Sequence, residues 1–383
     1  MTNTPRIAPR RVLFIAALHH PEILLQERRA APAAASAPLF PSSMGQHFWE
    51  RAFRNAGYEL DVFWRNLPGY GRRDIGRLRA AIYRNRWTPG RAGAALLQRL
   101  PPRWQPDLLR RNQLLLAQAQ RFQPDIIWLS GDNREILPGT LARLKREHDC
   151  ALIYVTGVSP IVFSQAIERA AAPLYDLVLV NDFYHGVPWL ELGAKRMECL
   201  PYVAIDPEVH IPQPVTDAPD AHLCDVGFVG TLLPNNLYSE RVAALESLRD
   251  FDLGIWSMHE APASLRAFQR GSALGAAMMQ TLSSVKISIN VHGDFMRYGG
   301  NMRLFECAAL GSFQLVDDRP GVHEWFRDGE HLVTFSDHAD LREKVRYYLA
   351  HDDERQRIAA AARAHVLAHH RYDQRLARME ELL

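Results

Sequence analysis

A glycine pair and a downstream acid stand in the segment GGNMRLFECAALG, which runs from Gly299 to Gly311. The pattern predicts a turn, a helix that stops at the last glycine, and a buried strand over the following FQLVDD. A helix that opens at a glycine pair presents unpaired N–H groups and its positive dipole end, which favours a phosphate. Inside this helix, Glu306 offers a carboxylate to sugar hydroxyls. Together these groups predict a nucleotide-sugar pocket.

Other residues are predicted to line the same pocket. Asn301 and Arg303 follow the glycine pair and can reach the helix mouth. Gly230 and Thr231 end the strand-like run DVGFVGT, where a missing side chain lets backbone approach a diphosphate; an ordinary strand-to-helix turn is the alternative. The predicted donor-binding residues are Gly230, Thr231, His259, Gly299, Gly300, Asn301, Arg303 and Glu306.

Each assignment has a structural alternative. For Glu306 the alternative is a salt bridge to Arg303, three residues earlier on the helix; we favour the ligand role because the glycine pair and the acid occur together. Arg241 can support a phosphate, although its position is more typical of a solvated helix face. His20 and Asp132 follow predicted strands and are the candidate catalytic bases. For any single histidine, a structural or exposed role is the favoured alternative.

Composition excludes several classes of protein. The chain has 383 residues, and its 45 basic and 43 acidic side chains give a formal charge of +2, which argues against a general nucleic-acid binder. The four cysteines have no CxxC spacing, so free thiols in a reducing compartment are expected, and no metal site is predicted. The apolar run VLFIAAL after Arg10 and Arg11 is too short for a secretory signal, and nothing else is apolar enough to span a bilayer. These features predict a cytoplasmic protein.

Apolar, strand-like runs alternate with helical patterns along the whole chain, which predicts parallel α/β sheets. The Pro-rich and acidic segment from Ile211 to Asp220 is the predicted linker. We therefore predict a first Rossmann-like domain over 1–218, a second domain over 219–365 that carries the nucleotide-sugar pocket, and a C-terminal helix over 366–383 that returns to the first domain. Loops after the strands should face a cleft between two such sheets. The predicted strands are 12–17, 58–64, 125–130, 151–156, 176–181, 225–229, 252–256, 286–291, 313–317 and 331–335.

A basic amphipathic segment lies between Arg72 and Trp87 and carries six arginines beside an apolar stripe. Two interpretations remain open. The segment either contacts an anionic membrane or anionic acceptor, or it is a solvated helix packed on the first domain.

The second half resembles the glycosyltransferase domain of CgeB-like and related group-1 glycosyltransferases. The resemblance rests on DVGFVGT, VKISINV, GGNMRLFECAALG and VDDRPGVHEWFRDGEHLVTF, followed by LREKVRYYLAHDDERQRIAAAARAHV, and covers about 225–383. It implies the two-domain GT-B fold, with acceptor binding in the first domain (1–218), a nucleotide-diphosphate sugar as donor substrate bound by the second domain (219–365), and no metal or other cofactor. It also implies that Glu306 holds the nucleotide ribose and that Asn301 and Arg303 lie at the donor pocket.

Two departures from the family pattern bear on mechanism. Retaining relatives carry a second acid eight positions before Glu306, where this chain has Tyr298, and the basic pair after the first donor-domain strand is replaced by TLLPNN. Amides, the helix dipole and arginines must then meet the phosphate charge. Stereochemistry stays open between inversion, with His20 or Asp132 as base, and retention, with the departing phosphate as base. A nucleotide-sugar epimerase and a non-catalytic nucleotide-sugar-binding protein are the alternative functions.

Overall fold

The computed structural model describes residues 10–17, 45–65, 101, 104–157, 159–200, 204–214, 223–233 and 237–383. These residues divide into two compact units. Unit 1 holds the described residues up to Val180 together with His185–Glu198 and Glu380–Leu383, and unit 2 holds Asn181–Tyr184 and Cys199–Met379. The predicted catalytic residue His20 and the basic segment 72–87 lie outside the described residues.

Unit 1 is built on a six-stranded sheet in the order β2-β1-β3-β4-β5-β6, with β1 to β5 paired in parallel. The central strands are apolar on both faces because helices cover both sides of such a sheet. Its strands are β1 (Arg11–Ala16), β2 (Glu59–Trp64), β3 (Ile126–Ser130), β4 (Ala151–Thr156), β5 (Leu177–Val180) and β6 (Met197–Cys199). The helices in this part of the chain are α1 (Gly45–Asn55), α2 (Pro106–Phe122), α3 (Pro138–His148), α4 (Ala166–Ala171) and α5 (Phe183–Glu191).

Unit 2 repeats this architecture with a parallel sheet in the order β12-β11-β10-β7-β8-β9. Its strands are β7 (Cys224–Val229), β8 (Leu253–Trp256), β9 (Gln269–Gly271), β10 (Val285–Asn290), β11 (Gln314–Asp317) and β12 (Val333–Phe335). Its helices are α6 (Ser239–Glu246), α7 (Ala276–Leu282), α8 (Met302–Ala309), α9 (Pro320–Trp325), α10 (His338–Ala350), α11 (Asp352–His369) and α12 (Tyr372–Leu382).

Two apolar layers hold the helices of unit 2 against the sheet. One layer joins Ile255 and Ile287 of the strands to Val345 of α10. The other joins Val316 of β11 to Phe305 of α8 and to residues of α11. Because α8 is packed on the sheet by this second layer, its N-terminus is fixed at the carboxyl ends of the strands, where ligands bind in open α/β sheets.

The ten predicted strands are all observed, and their bounds differ by at most two residues. The compact units divide near Glu198 and Cys199, earlier than residue 218, and residues 215–222 of the predicted linker region are outside the described ranges. Residues 380–383 group with unit 1, where Tyr58 donates to Glu380 and Arg196 donates to the Leu382 carbonyl. None of the helices in the described ranges is both long and apolar enough to cross a membrane.

Candidate nucleotide-sugar site

Helix α8 begins where the glycine turn predicts a start. Gly299 and Gly300 have φ angles of 100° and 117°, a region that residues with a side chain avoid. Asn301 is the N-cap, and its side-chain oxygen accepts a hydrogen bond of 3.1 Å from the Leu304 amide. The turn, the cap and the eight-residue helix therefore follow from local sequence.

The amides of the glycine pair are already used by the protein. Gly299 N–H donates to Asp182 Oδ2 at 3.3 Å, and Gly300 N–H donates to His292 Nε2 at 3.2 Å. The two amides thus have protein acceptors and are not unpaired, and a role of the glycine pair in phosphate binding stays a prediction. The next three amides, of Asn301, Met302 and Arg303, make no hydrogen bond among the described residues and carry the positive end of the α8 dipole.

A chain of buried amide side chains fixes the start of α8. Asn301 Nδ2 donates to Asn290 Oδ1 at 2.8 Å, and Asn290 Nδ2 donates to Gln314 Oε1 at 3.1 Å. Gln314 Nε2 then donates to the Leu304 carbonyl at 2.9 Å, which returns the chain to the helix. Since Asn290 and Gln314 end β10 and begin β11, this network ties α8 to both strands.

Glu306 is buried and forms a salt bridge with Arg303, with 2.5 Å between Oε2 and NH1. The structural alternative for Glu306 is thus present. Its second oxygen, Oε1, makes no hydrogen bond among the described residues, so one acceptor remains for a ligand hydroxyl. The Arg303 NH1 group also lies 2.8 Å from Met278 Sδ, and the guanidinium Nε has no partner within the described residues.

Arg241 is not the solvated residue that its sequence position suggests. Its Nε and NH1 groups donate to the carbonyls of Val291 and Thr231 at 2.9 and 2.8 Å, and the guanidinium lies 4.7 Å from the Tyr238 ring centroid. Burial lowers the pKa of Arg241 to about 10, and the nearby charge of Arg303 also lowers it, so the guanidinium stays protonated at neutral pH. Two cationic groups therefore lie close together at the carboxyl end of this sheet.

The helix that carries Arg241 is held by the loop after β10. Asp294 Oδ2 accepts from the Ser239 amide at 2.8 Å, and Oδ1 accepts from the Glu240 amide at 3.2 Å. The Asp294 carboxylate therefore accepts hydrogen bonds from the first N–H groups of α6 and caps the helix, although it belongs to a distant segment of the chain. The loop thus aligns α6, and with it the arginine, to the strand ends.

His292 and Asp317 form a buried pair at the ends of adjacent strands. Asp317 Oδ1 lies 2.6 Å from His292 Nδ1, and Oδ2 accepts from Arg319 Nε at 2.8 Å. Burial favours the neutral acid, but the interactions with His292 and Arg319 outweigh it and lower the pKa of Asp317 to about 2. The carboxylate is therefore ionised and fully engaged.

The other predicted site residues are less closely connected. Gly230 and Thr231 follow β7, and only Thr231 is tied to the arginine pair, through its carbonyl. His259 follows β8 and is exposed, with its carbonyl bound to Gln269. In unit 1, Asp132 follows β3 with a positive φ of 55° and pairs with exposed Arg134 at 3.0 Å. Roles for these residues stay predictions.

Sequence reasoning missed the roles of Asp182, His292 and Asp317. His292 follows β10, and no local pattern pairs it with an acid 25 positions away. Strand order is the signal that finds the pair, because β10 and β11 are neighbours and their carboxyl ends meet at one edge. Within the described ranges, no three His, Cys, Asp or Glu side chains are grouped as ligands for a metal ion.

Replacement of Gly300 by alanine should destabilise unit 2. A Cβ atom at this position would clash with the Asn181 carbonyl and lie 2.6 Å from the Trp325 ring, in addition to the φ strain. We expect a loss of about 1–3 kcal/mol in the free energy of unfolding, measured by urea denaturation. Gly329→Ala is the matched control, because it has a φ of 71° and no neighbouring atom within 4 Å. Equal losses in both variants would show that the contact with Trp325 and Asn181 is unimportant.

Part of the chain matches a known protein family, and solved structures resemble nearly all of it. Residues 240–381 match a family model described as glycosyl transferase-like. No curated protein sequence matches the chain. Sucrose-phosphate synthase from Thermosynechococcus elongatus is similar over 97% of this chain and 98% of its own, at 14% identity and a TM-score of 0.62.

Two further solved structures share the arrangement. HepE of Anabaena, solved in complex with UDP and glucose, matches 98% of this chain and 100% of its own at 14% identity, with a TM-score of 0.55. A glycosyltransferase from Rickettsia africae matches 98% of each chain at 10% identity, with a TM-score of 0.59. The chain therefore has the GT-B fold, with a glycosyl transferase-like segment over residues 240–381.

Proposed function

We propose that this protein is a glycosyltransferase that moves a sugar from a nucleotide-diphosphate donor to an acceptor. One observation carries the proposal: the charge of Arg303 acts on Arg241, and Arg303 lies in the first turn of α8, whose opening amides have no partner in the described residues. Fixed positive groups of this kind stabilise the charge that develops on a departing diphosphate. The match of residues 240–381 to a glycosyl transferase-like family, and the UDP bound by HepE, support the same reading.

In the proposed reaction, the bond between the anomeric carbon and the diphosphate oxygen breaks, and a bond to the acceptor oxygen forms. The nucleoside diphosphate leaves with the electron pair, and its charge is met by the Met302 and Arg303 amides, the α8 dipole and the two guanidinium groups. Glu306 Oε1 accepts a hydrogen bond from a ribose hydroxyl, while Oε2 keeps Arg303 in place. The acceptor proton passes to a base, for which Asp132 and His20 are the candidates, or to the departing phosphate.

Several finer assignments belong to the same proposal. We assign acceptor binding to unit 1, membership to the CgeB-like branch, a metal-independent reaction and a cytoplasmic location. Contact of residues 72–87 with an anionic membrane is a further proposal, for which pelleting with anionic and neutral vesicles is the test. Anomer analysis of the product distinguishes inversion from retention. Recovery of a free, interconverted nucleotide sugar would instead indicate an epimerase.

The donor assignment is tested by calorimetry with a panel of uridine, guanosine, thymidine and adenosine diphosphates. We expect at least one to bind, and we expect Arg241→Met to weaken it by about 1.5–3 kcal/mol because a charged hydrogen bond is lost. Arg346→Met is the control, since Arg346 is exposed on α10 and its guanidinium lies 5.8 Å from the Phe251 ring centroid. Equal affinities of the two variants would remove Arg241 from the site, and no binding of any diphosphate by the wild-type protein would refute the donor assignment.

A further inference from the structure

His292 is completely buried and makes three contacts that fix its position. Its backbone N–H donates to Asp317 Oδ1 at 2.9 Å, its Nδ1 lies 2.6 Å from the same oxygen, and its Nε2 lies 3.2 Å from the Gly300 amide nitrogen. Both ring nitrogens are therefore engaged by groups on the loop before α8 and on the neighbouring strand.

These contacts determine which nitrogen carries the proton. A backbone N–H can only donate, so Nε2 must offer its lone pair to Gly300 and cannot carry a proton. The single proton of a neutral imidazole then resides on Nδ1 and is donated to the Asp317 carboxylate, which is ionised. With its lone pair occupied, this histidine is not available as a general base.

Asp182 completes the arrangement from a different part of the chain. Its Oδ2 accepts from the Tyr298 and Gly299 amides at 2.8 and 3.3 Å, and the side chain is completely buried. Three consecutive amides, at 298, 299 and 300, are thus bound to protein acceptors. Within the described ranges, the first amides without a hydrogen-bond partner are those of Asn301, Met302 and Arg303, directly after the glycine pair.

We infer that His292, held as the Nδ1–H tautomer by Asp317, is a positioning residue that locks the glycine turn and thereby aims the unpaired α8 amides at the donor diphosphate. This inference rests on the proposed function. The role requires an acceptor at Nε2 and explains why an apolar residue would not serve, since the buried Gly300 N–H would lose the partner that the described residues give it. The turn is then a support for the phosphate site and is not itself the phosphate cradle.

Two variants distinguish the roles of the two nitrogens of the imidazole ring. His292→Asn retains a donor near the Nδ1 position but removes the acceptor for Gly300, whereas His292→Gln can place an acceptor near the Nε2 position. We expect His292→Asn to weaken binding of the diphosphate that the wild-type protein binds by about tenfold, the effect of one buried hydrogen bond, and to speed amide exchange at Gly300. His292→Gln should retain affinity within about threefold and keep more of the exchange protection. Equal affinity and equal exchange in the two variants would overturn the inference.

If a variant does not fold, a measurement on the wild-type protein tests the inference instead. The ¹⁵N chemical shifts of the His292 ring distinguish the two neutral tautomers and the cation, and we expect the Nδ1–H form at neutral pH. The Nε2–H form or the cation would overturn the inference. Absence of any diphosphate binding would refute the donor function and with it the positioning role, whereas the expected tautomer and exchange pattern would still establish the lock as a structural device. The failures of the two proposals are therefore distinguishable.

Discussion

Glu306→Gln should weaken binding of the nucleotide diphosphate by about 1.5–3 kcal/mol, which is about 10- to 150-fold in the dissociation constant. The change removes the negative charge that accepts a ribose hydroxyl at Oε1, and it also weakens the 2.5 Å contact that holds Arg303. Calorimetric titration of both proteins with the diphosphate that binds the wild type measures the loss. Both effects act on the donor site, so the affinity for the diphosphate should fall more than the free energy of unfolding.

The control for this variant is Glu343→Gln on α10. Glu343 is exposed and undergoes the same chemical change away from the strand ends. It should leave the affinity unchanged. A folded Glu306→Gln protein that binds the diphosphate as tightly as the wild type would contradict the ligand role and leave only the salt bridge.

Acidification should destabilise unit 2 through a cluster of three histidines, His331, His365 and His370. His370 Nδ1 accepts from Arg375 at 2.7 Å, His365 Nε2 lies 2.7 Å from the Trp325 carbonyl oxygen, and the rings of His331 and His365 stack at 4.1 Å. Burial, reinforced by the charge of Arg375, lowers the pKa of His370 to about 3, and burial also lowers the pKa values of His331 and His365. The other charged or titratable neighbours of the cluster are His369, Arg327 and Glu330.

The direction of the pH effect follows from these lowered values. An unfolded histidine has a pKa of about 6.5, so between pH 6.5 and pH 3 the unfolded state binds protons that the native state excludes. The stabilisation is complete above pH 6.5 and is lost as the pH falls, with a contribution from His370 on the order of 5 kcal/mol if the cluster stays buried. Free energies of unfolding in urea, measured from pH 7 downward, should show this decline.

Two substitutions test the assignment of the decline to the cluster. His370→Asn keeps an acceptor near Arg375 but cannot be protonated, so it should make the free energy of unfolding less dependent on pH below 6.5. His259→Asn changes an exposed histidine and should leave the pH dependence of the free energy of unfolding as in the wild type. An unchanged slope in His370→Asn would exclude His370 as the source.

The sequence predicted the fold well because the signals it relies on are local. Ten strands were located from apolar runs, and the α8 start was located from Gly299, Gly300 and the Asn301 cap. The short strands β6 and β9 were missed, because three-residue strands such as Gln269–Gly271 have no periodicity of their own and are defined by pairing with a neighbour.

The candidate site was predicted only in part. Local reasoning identified Asn301, Arg303 and Glu306 on one helix, and it anticipated the Arg303–Glu306 salt bridge as an alternative. It did not find the protein acceptors of the Gly299 and Gly300 amides, and it gave the wrong environment to Arg241. These contacts join residues that no local pattern connects, whether eight positions apart, as His292 and Gly300 are, or 117 positions apart, as Asp182 and Gly299 are.

By itself, the sequence determined the two parallel sheets, the glycine turn and the acid-bearing helix, because propensity, periodicity and capping act over a few neighbouring residues. Only the tertiary structure decided which backbone amides remain available to a ligand. Those amides are distinguished by the acceptors that other segments bring to them, as Asp182 and His292 do, and the acceptor of a buried N–H depends on strand order and packing.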